Sequence, residues 1–397
     1  MTDRKAIFSI TKRHLLGGLL GIGLLFGTTM TYFRYEVKKA RKLGKAYKKF
    51  FSMCEKQIIK DRPQLGGLST PKELQNIPLA EKLNIIIDVK TVPIRGVTAP
   101  YNASIERVGD EYLLFFRYDT LTFRETPPFY TSLGVCRLNQ DFQQTEAEYH
   151  NLNTNSKFSE DPRFIQVGSK NFIVYNDLLK DVFSRYRTIH LAEIDINTLK
   201  LKTITNLDIQ LGRTEKNWTP FVYTEDGKAN LFFEYFINPH KILKLPDMTK
   251  NELIHKSYTK GPAFQNLPWS RERWGELRGG TPAKKVGDEY LSFFHSLFED
   301  KDGFYWYVMG AYTFESKPPF NITSISKYPI LFEGIYDTIP ANSSDPTKRS
   351  IYPAGFALGK KDGKDVIHVS CGENDSAVKI ITFDQKALLD SLEKTRR

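Results

Sequence analysis

Glu160-Asp161-Pro162-Arg163 sets two adjacent carboxylates against a proline and a cation, and the apolar pair Phe164-Ile165 follows at once. The proline fixes its own φ, and the cation and the second carboxylate push a carboxyl pKa in opposite directions. One group can therefore be held protonated and another ionised, which is what acid/base work on a sugar bond requires. In isolation the same four residues also fit an acidic turn leading into a strand. What surrounds them in the chain decides between the two readings.

The motif sits in a repeat. Val108-Gly109-Asp110-Glu111-Tyr112-Leu113-Leu114-Phe115-Phe116 is echoed by Val286-Gly287-Asp288-Glu289-Tyr290-Leu291-Ser292-Phe293-Phe294, and weaker copies surround Gly168, Gly227 and Gly363. Each copy has a proline shortly before its turn: Pro100, Pro162, Pro220, Pro282 and Pro353. A strand, a tight glycine turn and a second strand recurring about every sixty residues predict one sheet per repeat. Radial repetition of such sheets protects their edges. The expectation is an all-β fold, a five-bladed β-propeller over residues 85–385, with a strand near Leu83 to Val89 helping to close the last blade. A helical tail, 386–397, follows.

In a propeller the innermost strands line a central funnel, so residues ahead of each turn converge although they are distant in sequence. The first repeat contributes Asn102 and Arg117, and the second Glu160, Asp161 and Arg163. The third contributes Glu215, Lys216, Asn217 and Glu234. The fourth supplies Arg278 and His295, and the fifth Tyr352, Glu373 and Asp375. Carboxylates, cations, a histidine and aromatic faces suit a sugar, whose apolar face stacks on rings while its hydroxyls meet polar groups. The cations could also hold a phosphate. Trp218, Trp269, Trp274 and Trp306 read first as packing residues and only second as sugar platforms.

Charge is segregated along the chain. Of 57 Lys/Arg and 46 Asp/Glu, residues 1–60 hold 14 and 3, which accounts for the whole net charge of +11. That argues for a basic segment at a membrane surface and against a nucleic-acid-binding body. Residues 15–33 carry no charge, follow the basic segment 1–14, and are just long enough to span a bilayer. The basic block 34–84 behind them holds an amphipathic stem and a linker. The positive-inside rule then favours a cytosolic propeller on a single-pass N-terminal anchor. Gly17 and Gly21, with Gly23 and Gly27, have the spacing of close helix contacts and raise a homodimer through the anchor. The scattered Cys54, Cys136 and Cys371 indicate neither a disulfide framework nor a metal site.

The order of these landmarks resembles glycoside hydrolase family 130, the mannoside phosphorylases and related β-mannosidases. Glu160 to Arg163 resembles the family's Glu-Asp-Pro-Arg segment, and Lys216-Asn217-Trp218-Thr219-Pro220-Phe221 its Lys-Asp/Asn segment and Phe-Pro turn. Tyr307-Val308-Met309-Gly310-Ala311, Pro329-Ile330-Leu331-Phe332-Glu333 and Cys371-Gly372-Glu373-Asn374-Asp375 resemble its later signatures. The chain departs from the pattern at Ile237-Asn238-Pro239-His240, where the family tends to carry an Arg-Pro, and at Ser296, where glycine is usual.

The resemblance implies a five-bladed propeller with Asp161 as general acid, Lys216 and His295 in a phosphate site, and Asp375 as a sugar-binding carboxylate. It implies no cofactor, with inorganic phosphate or a sugar phosphate as co-substrate. The resulting expectation is an anchored enzyme acting on a β-mannoside by inverting phosphorolysis or by glycosyl transfer. One alternative is a glycan- or protein-binding propeller without chemistry. The other is a glycoside hydrolase that uses Glu234 or Glu373 to activate water.

Overall fold

The computed structural model describes residues 70–120, 130–178, 187–207, 214–245, 265–339 and 347–395. The chain divides into two units, Met1–Arg62 and Pro63–Arg397, and every described residue belongs to the second. The expected basic segment, anchor and most of the stem lie outside the described residues, as does Cys54. Among the described residues, no helix is long and apolar enough to cross a membrane.

The fold is mostly β and follows the five repeats. The first forms β2–β5 (Tyr101–Val108, Glu111–Asp119, Thr131–Leu138, His150–Leu152), and the second β6–β9 (Glu160–Val167, Lys170–Leu178, Arg187–Asp195, Lys200–Asn206). Both are antiparallel meanders. The third has three described strands, β10–β12 (Thr219–Glu225, Lys228–Phe236, Lys241–Leu245). The fourth comprises β13–β17 (Arg278–Gly279, Lys284–Val286, Glu289–Glu299, Tyr305–Glu315, Ile322–Ile325). The fifth comprises β18–β20 (Lys348–Lys361, Lys364–Glu373, Ala377–Asp384) and takes its outer strand from the start of the fold, where β1 (Ile86–Thr91) pairs antiparallel with β20. A short parallel pairing, Tyr305 to Tyr307 against Lys348 to Ser350, joins the fourth and fifth sheets.

Every repeat glycine sits in a two-residue hairpin loop with positive φ. Gly109, Gly168 and Gly287 open their loops, whereas Asp226-Gly227 and Asp362-Gly363 have positive φ at both positions. These are the backbone states that match the twist of paired strands. The turns lie together at one end of the innermost strands. At the other end, three innermost strands are bulged: the register slips between Tyr101 and Ser104, between Glu160 and Arg163, and between Pro353 and Gly355. An extra residue in a strand breaks the alternation and re-aims a side chain.

Apolar layers fill the spaces between neighbouring sheets. Phe115 of the first stacks on Phe164 of the second at 5.3 Å, and both belong to one buried cluster with Ile173 and Tyr175. Trp218 and Phe233 join Val174 and Leu191 between the second and third sheets, and Ala357 and Ile380 join Ile105 and Leu114 between the fifth and first. The largest cluster unites the third, fourth and fifth sheets around Phe221, Phe293, Tyr312 and Phe356. Neighbouring sheets also bond one another: Ser104 Oγ accepts from Phe164 N, Pro220 O accepts from Ala283 N, and Ser370 Oγ donates to Ala103 O. The first sheet thus meets both the second and the fifth, and the ring closes as a propeller. Leu74 and Ala80 are buried in the same core, so the fold begins before the expected boundary at 85. The tail is helical only over Gln385–Asp390, after which β21 (Glu393–Lys394) pairs with β17.

Candidate active site

The bulges build the site. Asn102 (φ +47°) and Asp161 (φ +56°) lie within bulges of β2 and β6, and Asn217 (φ +62°) holds the corresponding place just before β10. Asn and Asp tolerate this left-handed region better than other side chains with a Cβ. The conformation turns three short polar groups inward, toward one another, where a regular strand would alternate them between faces.

Asp161 is the centre of the group. Its Oδ1 accepts from Asn102 Nδ2 at 2.9 Å and from Arg117 Nη1 at 3.1 Å, and its Oδ2 lies 3.4 Å from the Tyr352 hydroxyl. Tyr352 accepts from Arg163 Nη2 at 2.8 Å and reaches Asn217 Oδ1 at 2.9 Å. Arg163 is 1% exposed and donates from Nε to Gly280 O at 2.6 Å, so this guanidinium from the second sheet is fixed by the fourth and fifth. Glu160 faces the cations: Arg117 Nη2 at 3.2 Å, Arg187 Nη2 at 2.7 Å and Lys216 Nζ at 2.8 Å.

Burial alone would raise both carboxyl pKa values. Arg117, Lys216 and Arg163, with the Asn102 amide, outweigh it at Asp161 and hold that carboxyl well below the usual range. Arg117, Lys216 and Arg187 do the same for Glu160. Both are carboxylates at neutral pH.

The fourth and fifth sheets close the other side. Arg278 pairs in register with His295 across β13 and β15, and the His295 ring lies 4.4 Å from that of Tyr352. His295 is 2% exposed, and its Nδ1 has no hydrogen-bond partner among the described residues. Burial, then the charges of Arg278 and Arg163, depress its pKa to about 3. The imidazole is therefore neutral and can offer a phosphate only a hydrogen bond, with no charge. Lys348 forms an ion pair with Asp375 at 2.6 Å and stands over the Tyr307 ring.

Asn102, Arg117, Glu160, Asp161, Arg163, Lys216, Asn217, His295 and Asp375 are thus brought into one network. Glu234 is not. Its Oε1 accepts from Thr219 and its Oε2 from Tyr312, with His240 Nε2 2.8 Å away, so every oxygen is taken in a buried cluster between the third and fourth sheets. Glu373 is likewise consumed by Lys379, the Tyr336 amide and Thr338. Both stand in buried clusters of their own, apart from the Asp161 network. All four tryptophans are buried, at 3% exposure or less, and act as packing.

Arg187 and Lys348 belong to the network but stand outside the repeat pattern. One signal does point to Lys348, since Lys348 and Tyr352 lie four apart on one strand and share a face. Arg187 opens the third strand of its sheet and carries no comparable sign.

A cavity of about 510 Å³ lies at the opposite, turn end of the ring, lined by Glu106, Gln166, Lys284 and Tyr290 among others. Its carboxylate, Glu106, is paired with Lys284 at 2.6 Å. Among the described residues that line it, no second carboxylate accompanies Glu106.

Fold and site together define a class of protein, the propellers that carry an ionisable polar cluster at one mouth of the ring. Comparison with solved structures gives particular members. The chain is similar to a β-1,2-mannobiose phosphorylase from Listeria innocua, solved with β-1,2-mannobiose (14% identity, TM-score 0.52, 79% of this chain and 97% of that one). It is similar too to a mannose phosphorylase from Leishmania mexicana, solved with a phosphate ion (14% identity, TM-score 0.53, 79% and 93%). At this identity the likeness is one of fold. No protein-family profile and no curated protein sequence matches the chain.

Proposed function

We propose that this chain is a carbohydrate-active enzyme that transfers a mannosyl group between a sugar 1-phosphate and an acceptor hydroxyl, with inversion, and that runs the same reaction backwards as phosphorolysis of a β-mannoside. The observation that carries this reading is the charge of the recess. Arg117, Arg163, Arg187, Lys216 and Lys348 surround Glu160, Asp161 and Asp375, and Arg278 stands beside His295, so cations outnumber carboxylates. Arg278 makes no ion pair or hydrogen bond with its side chain among the described residues. A surplus of fixed cations suits an anionic co-substrate and is more than a neutral glycan needs.

The ionised state of Asp161 gives the direction. In transfer, the acceptor oxygen attacks the anomeric carbon, the bond to the phosphate oxygen breaks, and the acceptor's proton passes to Asp161. Phosphate leaves with the electron pair, held by the cations. By microscopic reversibility the protonated Asp161 is the general acid of phosphorolysis, donating to the leaving sugar oxygen while phosphate attacks the opposite face. Hydrolysis lacks support, since Glu234 and Glu373 are engaged elsewhere. The anchor at 15–33 and its basic stem belong to the same reading: an enzyme held at a membrane suits transfer to an acceptor.

The test is an assay of the full chain for sugar 1-phosphate formation from β-mannosides with and without inorganic phosphate, and for acceptor extension from mannose 1-phosphate. The reading expects phosphate-dependent product and extension, both lost in Asp161→Asn while sugar binding persists. Phosphate-independent release would identify a hydrolase. Glycan binding without turnover would identify a binding module, and unchanged turnover in Asp161→Asn would remove that residue from the chemistry.

A further inference from the structure

Tyr352 touches the Asp161 carboxylate, yet the reaction above leaves it without a task. It comes from the fifth sheet, yet its hydroxyl touches groups of the second and third: Arg163 Nη2 at 2.8 Å, Asn217 Oδ1 at 2.9 Å and Asp161 Oδ2 at 3.4 Å. The guanidinium can only donate, so it occupies one lone pair of the phenol oxygen. The phenol's own hydrogen then has two acceptors in reach, the Asn217 carbonyl and the Asp161 carboxylate. When the hydrogen points to Asn217, the remaining lone pair is free to accept from a protonated Asp161.

The other Asp161 oxygen has no such freedom. Oδ1 is fixed by Asn102 and Arg117, neither of which can accept a proton from it through the bonds they make. Oδ2 is the oxygen that gains and loses the proton, and Tyr352 is its neighbour. The phenol is 8% exposed and its ring is packed against His295, so it rotates about its C–O bond without moving its oxygen.

Resting on the assignment of Asp161 as the acid/base group, we propose that Tyr352 is a positioning residue whose hydroxyl hydrogen follows the proton of Asp161, turning to the carboxylate when the proton leaves and to Asn217 when it returns. Tyr352 is thereby a switchable donor that stabilises the carboxylate formed as phosphorolysis proceeds. The charged groups around Asp161 are Arg117 from the first sheet, Glu160 and Arg163 from its own strand, and Lys216 from the third. None of these can exchange donor for acceptor: a guanidinium or an ammonium only donates, and the Glu160 carboxylate only accepts. His295, on the fourth sheet, is neutral and contacts the ring of Tyr352.

The test is Tyr352→Phe, which keeps the ring and its packing. A donor to a carboxylate favours the ionised form, and such bonds are the stronger ones. Its loss should lower kcat for phosphorolysis about tenfold or more, leave KM within about twofold, and move the alkaline limb of the pH profile to higher pH. In an Asp161→Asn background the same change should add nothing. A fall in kcat with an unmoved pH profile, or a rise in KM alone, would assign Tyr352 to packing and overturn the proposal.

Coupling can also be read without turnover, from the melting of the wild type, the two single variants and the double variant. The proposal expects non-additivity of about threefold or more in the unfolding constant. Additive effects would refute it. Non-additivity in a protein that turns over no mannoside would retain the Tyr352–Asp161 link and reject the proposed reaction instead.

Discussion

At the scale of single residues the site is a set of charges that constrain one another. Arg117 joins Asp161 and Glu160, each less than a tenth exposed at its side chain, so removing it strands two buried carboxylates. Breaking a buried network in this way typically costs about 3–5 kcal/mol. Arg117→Met should therefore lower the melting temperature by several degrees and raise the pH at which the protein unfolds in acid. His295 gives a sharper test. Its folded pKa of about 3 lies below the roughly 6.5 of an unfolded histidine. The unfolded chain binds a proton there first as pH falls, so stability is full above about pH 6.5 and is lost toward pH 3, by about 1.4 kcal/mol per unit. His368, lowered to about 4, adds to the same slope. In His295→Gln the fall in melting temperature between pH 6.5 and 4 should be shallower than in the wild type; an equal slope would show that the imidazole titrates normally.

The elements convert repeated sequence into convergent side chains. Two-residue turns fix the register of each innermost hairpin, and the bulge at the far end releases Asp161 from the alternation that would otherwise send neighbouring side chains to opposite faces. The last sheet depends on a strand from the other end of the fold: β1 covers β20, whose Ile380, Ile381 and Phe383 are buried. Without β1 that edge would present unpaired backbone groups. A chain beginning at 70 should melt as the full chain does over its main transition. One beginning at 97 should aggregate or melt at least about 5 °C lower. Equal stability of the two would mean that the ring does not need this strand for closure.

At the scale of the whole molecule, the surplus positive charge sits in residues 1–60 while the remainder is balanced. Because residues 61–397 carry no net charge, any affinity for anionic surfaces is expected to lie in the basic segment. The full chain should co-sediment with vesicles containing anionic lipid and the 70–397 fragment should not; a fragment that binds equally would move the membrane contact onto the propeller.

The repeats, their turn glycines and the alternating aromatic strands set out the ring from sequence, because local turn chemistry and strand periodicity are short-range properties. The Glu-Asp-Pro-Arg segment marked the centre of the site for the same reason: its residues act on one another as neighbours. Tertiary structure alone decided which distant carboxylates are available. Glu234 and Glu373 carry the same chemistry as Asp161, and only the packing of His240, Tyr312 and Lys379 around them shows that they are held in buried clusters apart from it. Arg187 and Lys348 enter the recess from the starts of strands, where no repeat marks them, and the neutrality of His295 comes first from its burial and then from two arginines of other parts of the chain. Charge and availability are set by the sum of neighbours within a few ångströms, and in a closed ring those neighbours come from every repeat at once.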